Sequence, residues 1–160
     1  MKKMLLVIDL QKSFINPNTE FLISKIDSLV NSGGYDLVVF TKFINDNDSM
    51  WVKKLDYRGC ISLEDRKIMI DTKDNIVLEK SLYTAYSTNL INLINLFKID
   101  EVHLCGIDTE CCVLKTAFDL FENGYNIKVL KDYSACTHGE ESNKNALDII
   151  ARNIGKSNVI

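Results

Sequence analysis

The stretch EVHLCGIDTECCVLKTAFDLFENGY (101–125) decides how this chain folds. Its opening, EVHLCGI (101–107), is a short apolar run of the kind that sits as a parallel strand covered on both faces. Beyond residue 110 the spacing changes. Val113, Leu114, Ala117, Leu120 and Phe121 recur at intervals of three and four, which predicts a helix over 111–123. Asn123-Gly124 supplies its C-terminal stop. A strand that runs through a tight turn into a helix is the repeating half of an α/β fold.

The same grammar extends outward. MLLVIDL (4–10), DLVVFTK (36–42), NIVLEK (75–80) and NIKVL (126–130) are four more apolar runs. Helical periodicity fills 19–32, 87–97 and 139–153. Gly33-Gly34 ends the first of these, and Ser87 or Thr88 can cap the second. Strand–helix alternation predicts a three-layer α/β/α, doubly wound, mainly parallel Rossmann-like sheet of five to six strands. One domain over 1–160 accounts for the whole length. Only 43–74 breaks the pattern; it is polar and irregular, with room for one short helix near 49–56.

Composition narrows the function classes. Apolar residues are 46% and charged residues 26%, ordinary for a globular chain that builds a core. A formal charge of −3 gives no electrostatic reason to expect nucleic acid or an anionic membrane as partner. The apolar run at the start stops at Asp9, too early for a secretory leader, and no run is long enough to span a bilayer. Five cysteines, an odd number without a CxxC pair, point to reduced thiols and a cytoplasmic location.

In a doubly wound sheet the site is built where strands end at their carboxyl edge. Three strand ends carry reactive groups. Asp9 ends the first run, Lys80 the third, and Cys111-Cys112 follow the fourth. Each has a plain structural alternative: a capping carboxylate, a solvated lysine, a small core residue. A thiol at a helix start also faces free N–H groups, which favour the thiolate and can hold an oxyanion. Cys105 and Cys136 read as core. His103 lies inside a strand and His138 in a loop. No His-x-His or Asp-x-His pattern marks a metal site, and no GxxxxGK[ST] or GxGxxG marks a phosphate or dinucleotide cofactor.

Taken together, these blocks resemble the isochorismatase-like cysteine hydrolase superfamily, which includes nicotinamidases, N-carbamoylsarcosine amidohydrolases and isochorismatases. DLQKSF (9–14) resembles its opening D-x-Q-x-x-F. KSLYTAY (80–86) resembles its lysine block, and 106–125 its G-x-x-T-D-x-C-V-x-x-T-A block. The cysteine that precedes Val113 is the motif cysteine, so the resemblance selects Cys112 over Cys111. It implies a catalytic trio of Asp9, Lys80 and Cys112, with Lys80 lowering the thiol pKa and Asp9 accepting its proton. It implies an oxyanion hole from the backbone N–H groups of Asp108 and Cys112, a cis bond between Ile107 and Asp108, and substrate contacts from Phe14 and Tyr83.

The implied reaction is cleavage of a C–N bond in a small carboxamide or ureido compound through a cysteine thioester. The alternatives are isochorismatase-type vinyl-ether hydrolysis and a non-catalytic or redox-sensing module built on the adjacent thiols. The expected partners are a small-molecule substrate and further copies of the chain, as a dimer or tetramer, with no cofactor. Departures matter. Nicotinamidases place Asp-x-His and a later His after the second strand to bind a metal, and TKFINDND (41–48) has no histidine. Thr109-Glu110 replaces Thr-Asp. Arg58 and Arg66, in the irregular segment, are the candidates to meet a substrate carboxylate.

Overall fold

A computed structural model describes all residues, Met1–Ile160. Five parallel strands form one sheet: β1 (Lys3–Ile8), β2 (Leu37–Phe43), β3 (Ile76–Lys80), β4 (Glu101–Ile107) and β5 (Ile127–Ala135). Their order is β3-β2-β1-β4-β5. The chain winds one way from β1 to β3, then crosses back to β4. That reversal opens a crevice between the carboxyl ends of β1 and β4.

Alternation along β1 separates two cores. Met4, Leu6 and Ile8 face one side, where α3 (Thr88–Phe97), α4 (Leu114–Glu122) and α5 (Glu140–Ile154) pack through Leu90, Ala117, Leu120 and Ile150. Leu5 and Val7 face the other, against Leu22 and Ile26 of α1 (Phe21–Val30). Helices therefore cover both faces of a five-stranded, wholly parallel sheet. No helix is long and apolar enough to cross a membrane.

Three differences from the sequence reading have physical causes. β5 continues to Ala135, five residues past the apolar run, because its later part pairs beside Gly106 and Ile107 after a register shift. β3 is only half covered, since it is the sheet edge. The helix after β4 does not begin regularly: Thr109–Val113 form a π-helical turn before α4 starts. Segment 43–74 is irregular as expected, with one short helix, α2 (Met50–Leu55), capped by the Ser49 hydroxyl on the Val52 N–H.

One glycine fixes how closely β1 and β4 approach at the crevice. Gly106 pairs with Ile8 and adopts φ +124°. A Cβ there would collide with the Ile8 carbonyl oxygen. The contact brings Asp9 and the loop after Ile107 together.

Candidate active site

Asp9 follows β1 directly, is fully buried and has φ +47°. A buried carboxylate needs partners. Thr41 of β2 supplies two contacts: its hydroxyl donates to Asp9 Oδ1 at 2.6 Å and accepts from the Asp9 N–H at 3.1 Å. Lys80 supplies the counter-charge, its Nζ lying 2.6 Å from Asp9 Oδ2. β3 is two strands away from β1, so the long lysine stem must cross β2 to reach. It does so over the Phe43 ring, with Nζ 5.4 Å from the ring centroid. The ammonium also donates to the carbonyls of Leu82 (2.8 Å) and Tyr83 (3.1 Å) and approaches Cys112 Sγ at 3.7 Å.

The structure thus brings Asp9, Lys80 and Cys112 into one cluster. Cys112 is 7% exposed and sits in the π-helical turn. Cys111 points into the same cavity but is not among the Lys80 contacts. Thr116, one turn on, accepts from the Ala85 N–H at 2.9 Å and ties α4 to the lysine block. The Ile107–Asp108 peptide bond is cis. The Asp108 carboxylate is taken by Thr137, through its N–H (2.5 Å) and hydroxyl (3.0 Å). The Asp108 N–H has no protein acceptor and is free to donate elsewhere.

Opposing influences meet at Cys112. Burial pushes the Cys112 thiol well above its ordinary value, and the Asp9 carboxylate adds to this; Lys80 pulls the other way but does not win. Burial, with Asp108 and Glu110 nearby, also raises Cys111, to about 11. Burial pulls Lys80 down, but Asp9 and Cys112 outweigh it and hold the ammonium above its ordinary value.

Above the cluster lies a cavity of about 630 Å³. Its wall is a chain of aromatic contacts. Tyr57 stacks on Phe14 (4° between planes), Phe14 meets Phe43 at 6.3 Å, Phe43 meets Trp51 at 5.9 Å, and Trp51 meets Tyr83 at 4.6 Å. Phe14 and Tyr83 are where the sequence placed substrate contacts. Phe43, Trp51 and Tyr57 were not foreseen; a run of aromatics in an irregular polar segment was the available signal. The two arginines do not reach this space. Arg66 donates to the carbonyls of Cys60 and Asn45, both at 2.8 Å, and Arg58 pairs with Asp56 in solvent.

His138 stands at the rim, largely exposed, with Nδ1 2.6 Å from Glu110 Oε1. The Glu110 hydrogen bond and charge raise its pKa above the ordinary 6.5. An NMR titration should place His138 above that value, and Glu110→Gln should return it. A midpoint that Glu110→Gln leaves in place would refute the pairing. His103 is buried inside β4 and satisfied by Tyr35 (3.0 Å) and Glu101 (2.8 Å), far from the cluster along the strand.

The metal-binding version of this fold does not fit the residues after β2. Phe43 turns into the aromatic wall, and the Asn45 amide is saturated by four hydrogen bonds. No three His, Cys, Asp or Glu side chains converge.

A parallel α/β sheet with a carboxylate, an ammonium and a thiol gathered at its carboxyl edge defines a class of α/β hydrolytic folds. The chain belongs to the isochorismatase family: the model of the isochorismatase domain matches residues 3–156. It is 29% identical over 143 residues to isochorismatase family protein 2A of Dictyostelium discoideum, which covers 86% of this chain and 68% of that one. Against family protein 1B of the same organism it spans 60% of the relative's length. An isochorismatase-like hydrolase from Alkaliphilus metalliredigens superposes with a TM-score of 0.85 at 20% identity, covering 95% of this chain and 92% of its own. N-carbamoylsarcosine amidase from Thermoplasma acidophilum gives 0.83 at 24% identity, with 97% and 94% covered. At these identities the structural matches establish the fold.

Proposed function

We propose that this chain is an amidohydrolase that cleaves the C–N bond of a small, uncharged carboxamide or ureido compound through a thioester on Cys112. The observation that carries the reading is the position of Lys80 Nζ, 2.6 Å from Asp9 Oδ2 and 3.7 Å from the Sγ of Cys112, which itself lines an aromatic-walled cavity. The similarity to an amidase supports it.

The steps follow from the charges. The thiol starts neutral and Asp9 is the base beside it. As sulfur attacks the carbonyl carbon, the S–C bond forms and the thiol proton passes to Asp9. The carbonyl oxygen becomes an oxyanion, met by the N–H groups of Asp108 and Cys112. The C–N bond then breaks, and Asp9 returns the proton to the leaving nitrogen. Water adds to the thioester, giving a proton to Asp9. When the S–C bond breaks, the acid leaves and sulfur regains its proton. Lys80 remains an ammonium throughout, opposite whichever of Asp9 or sulfur carries charge.

The cavity wall argues for the substrate body. Aromatic faces without an arginine favour a flat, weakly polar group over a carboxylate. The test is a panel of aromatic carboxamides, carbamoyl compounds and isochorismate, assayed with the parental chain and Cys112→Ala. Ammonia release that needs Cys112 supports the reading; cleavage of isochorismate alone, undiminished in Cys112→Ala, defeats it. Phe14→Ala should raise KM about tenfold with kcat nearly unchanged, the loss of one stacking face. A KM equal to the parent's would remove Phe14 from substrate binding.

A further inference from the structure

The aromatic wall stands on a segment with almost no regular structure, so something else must hold it. Several polar contacts of that segment meet at Asn45, which is fully buried two residues beyond β2; Gln11 holds Phe43 and Arg66, and Trp51 Nε1 donates to the Ser81 carbonyl at 3.3 Å. Its Nδ2 donates to the carbonyls of Tyr57 and Gly59, both at 3.0 Å. Its Oδ1 accepts from the Asp46 N–H (2.9 Å) and the Ser49 hydroxyl (2.5 Å). A primary amide has two donors and two acceptor sites, and all four are used. The backbone is engaged too: the N–H donates to the Cys60 carbonyl (3.1 Å) and the carbonyl accepts from Arg66 Nη2 (2.8 Å).

These contacts have a direction. Ser49 is the cap of α2, whose second residue is Trp51. Tyr57 carries the ring that stacks on Phe14. Gly59 is where that ring folds back over its own backbone; a Cβ there would collide with the Tyr57 phenol. One amide thus links two parts of the wall that lie apart along it, the helix that bears Trp51 and the turn that bears Tyr57. None of its side-chain bonds goes to the sheet.

We propose that Asn45 is a positioning residue: its amide sets the separation of Trp51 and Tyr57, and so the affinity of the cavity for substrate. The kinetic part rests on the amidohydrolase reading. The positional part does not, and Trp51 reports it directly, because it is the only tryptophan.

The experiment compares Asn45→Ala and Ser49→Ala with the parent in the full chain, using acrylamide quenching of Trp51 fluorescence. Ile150→Val, a core change on α5 that lines neither the cavity nor the aromatic wall, serves as a control that lowers stability. Asn45→Ala should at least double the quenching constant and shift emission to the red. Ser49→Ala, which removes one of the four bonds, should move both in the same direction by less, and it carries the test if Asn45→Ala does not fold. Ile150→Val should leave both at the parental value. On a turned-over carboxamide, Asn45→Ala should raise KM about tenfold with kcat within about threefold. Parental quenching in folded Asn45→Ala or Ser49→Ala would overturn the proposal, as would an equal change in Ile150→Val. A loss confined to kcat would also overturn it. If the parent hydrolyses no amide, the function falls while the quenching still decides the role of Asn45.

Discussion

Cys112→Ala is expected to reduce turnover by at least about 10³-fold, while Cys111→Ala stays within about threefold of the parent. The two thiols are neighbours in sequence and line the same cavity, so residue type and location do not separate them. Contact does. Only Cys112 lies within reach of Lys80 Nζ, at 3.7 Å, and its thiol can pass a proton to Asp9. Cys111 faces Asp108 and Glu110, two carboxylates that oppose its ionisation. The raised pKa of Cys112 adds a second expectation. Iodoacetamide should label it slowly at neutral pH and faster as pH rises past the ordinary thiol value of 9.0. Intact mass with a slow carboxamide should show an acyl adduct on the parent and none on Cys112→Ala. Parental turnover in Cys112→Ala would end the thioester mechanism.

How much of this was legible in the sequence depends on what each feature needs. Strands and helices need only local apolar spacing, so β4 was readable to the residue, and 49–56 located α2. β5 was cut short because KDYSA (131–135) loses the apolar pattern: Lys131 and Asp132 face solvent before Ser134 and Ala135 return to the interior. The trio was legible as three separate strand ends; that Lys80 crosses a whole strand to reach Asp9 is a consequence of strand order, which no local pattern encodes. Thr41 was invisible for the same reason. A threonine inside a β run is ordinary, and only the strand order that sets it beside Asp9 gives it a task. The arginines illustrate the reverse error. Their charge suggested a ligand, but Arg66 spends its donors on two carbonyls of its own segment. The reading of Cys112 as a thiol at a helix start left out two opposing influences that need the whole fold: burial and the Asp9 carboxylate both raise the thiol pKa.

Asp9→Asn and Lys80→Met should each destabilise the fold by about 3–5 kcal/mol in urea unfolding, because each leaves the other partner charged and buried. Asp9 is fully buried and the Lys80 side chain is 9% exposed, so solvent cannot take over the missing partner's role. The double variant Asp9→Asn/Lys80→Met should be less destabilised than the sum of the two, since it removes both charges and leaves a neutral pair. Its activity should stay lost, because no base remains to take the thiol proton. The alkaline limb of stability carries the same signature. Lys80 and Cys112 both titrate higher in the folded chain than in the unfolded one. A group whose folded pKa is raised contributes stability that is present below its unfolded pKa and lost as pH rises through the folded one. The thiol contribution should therefore begin to fade above pH 9.0 and the lysine contribution above 10.5, with little change from these two groups near neutrality. In Cys112→Ala the first of these losses should vanish while the second persists. Single variants that unfold within about 0.5 kcal/mol of the parent would show that the pair is solvated in the working protein, and would remove the electrostatic basis for Asp9 as the base.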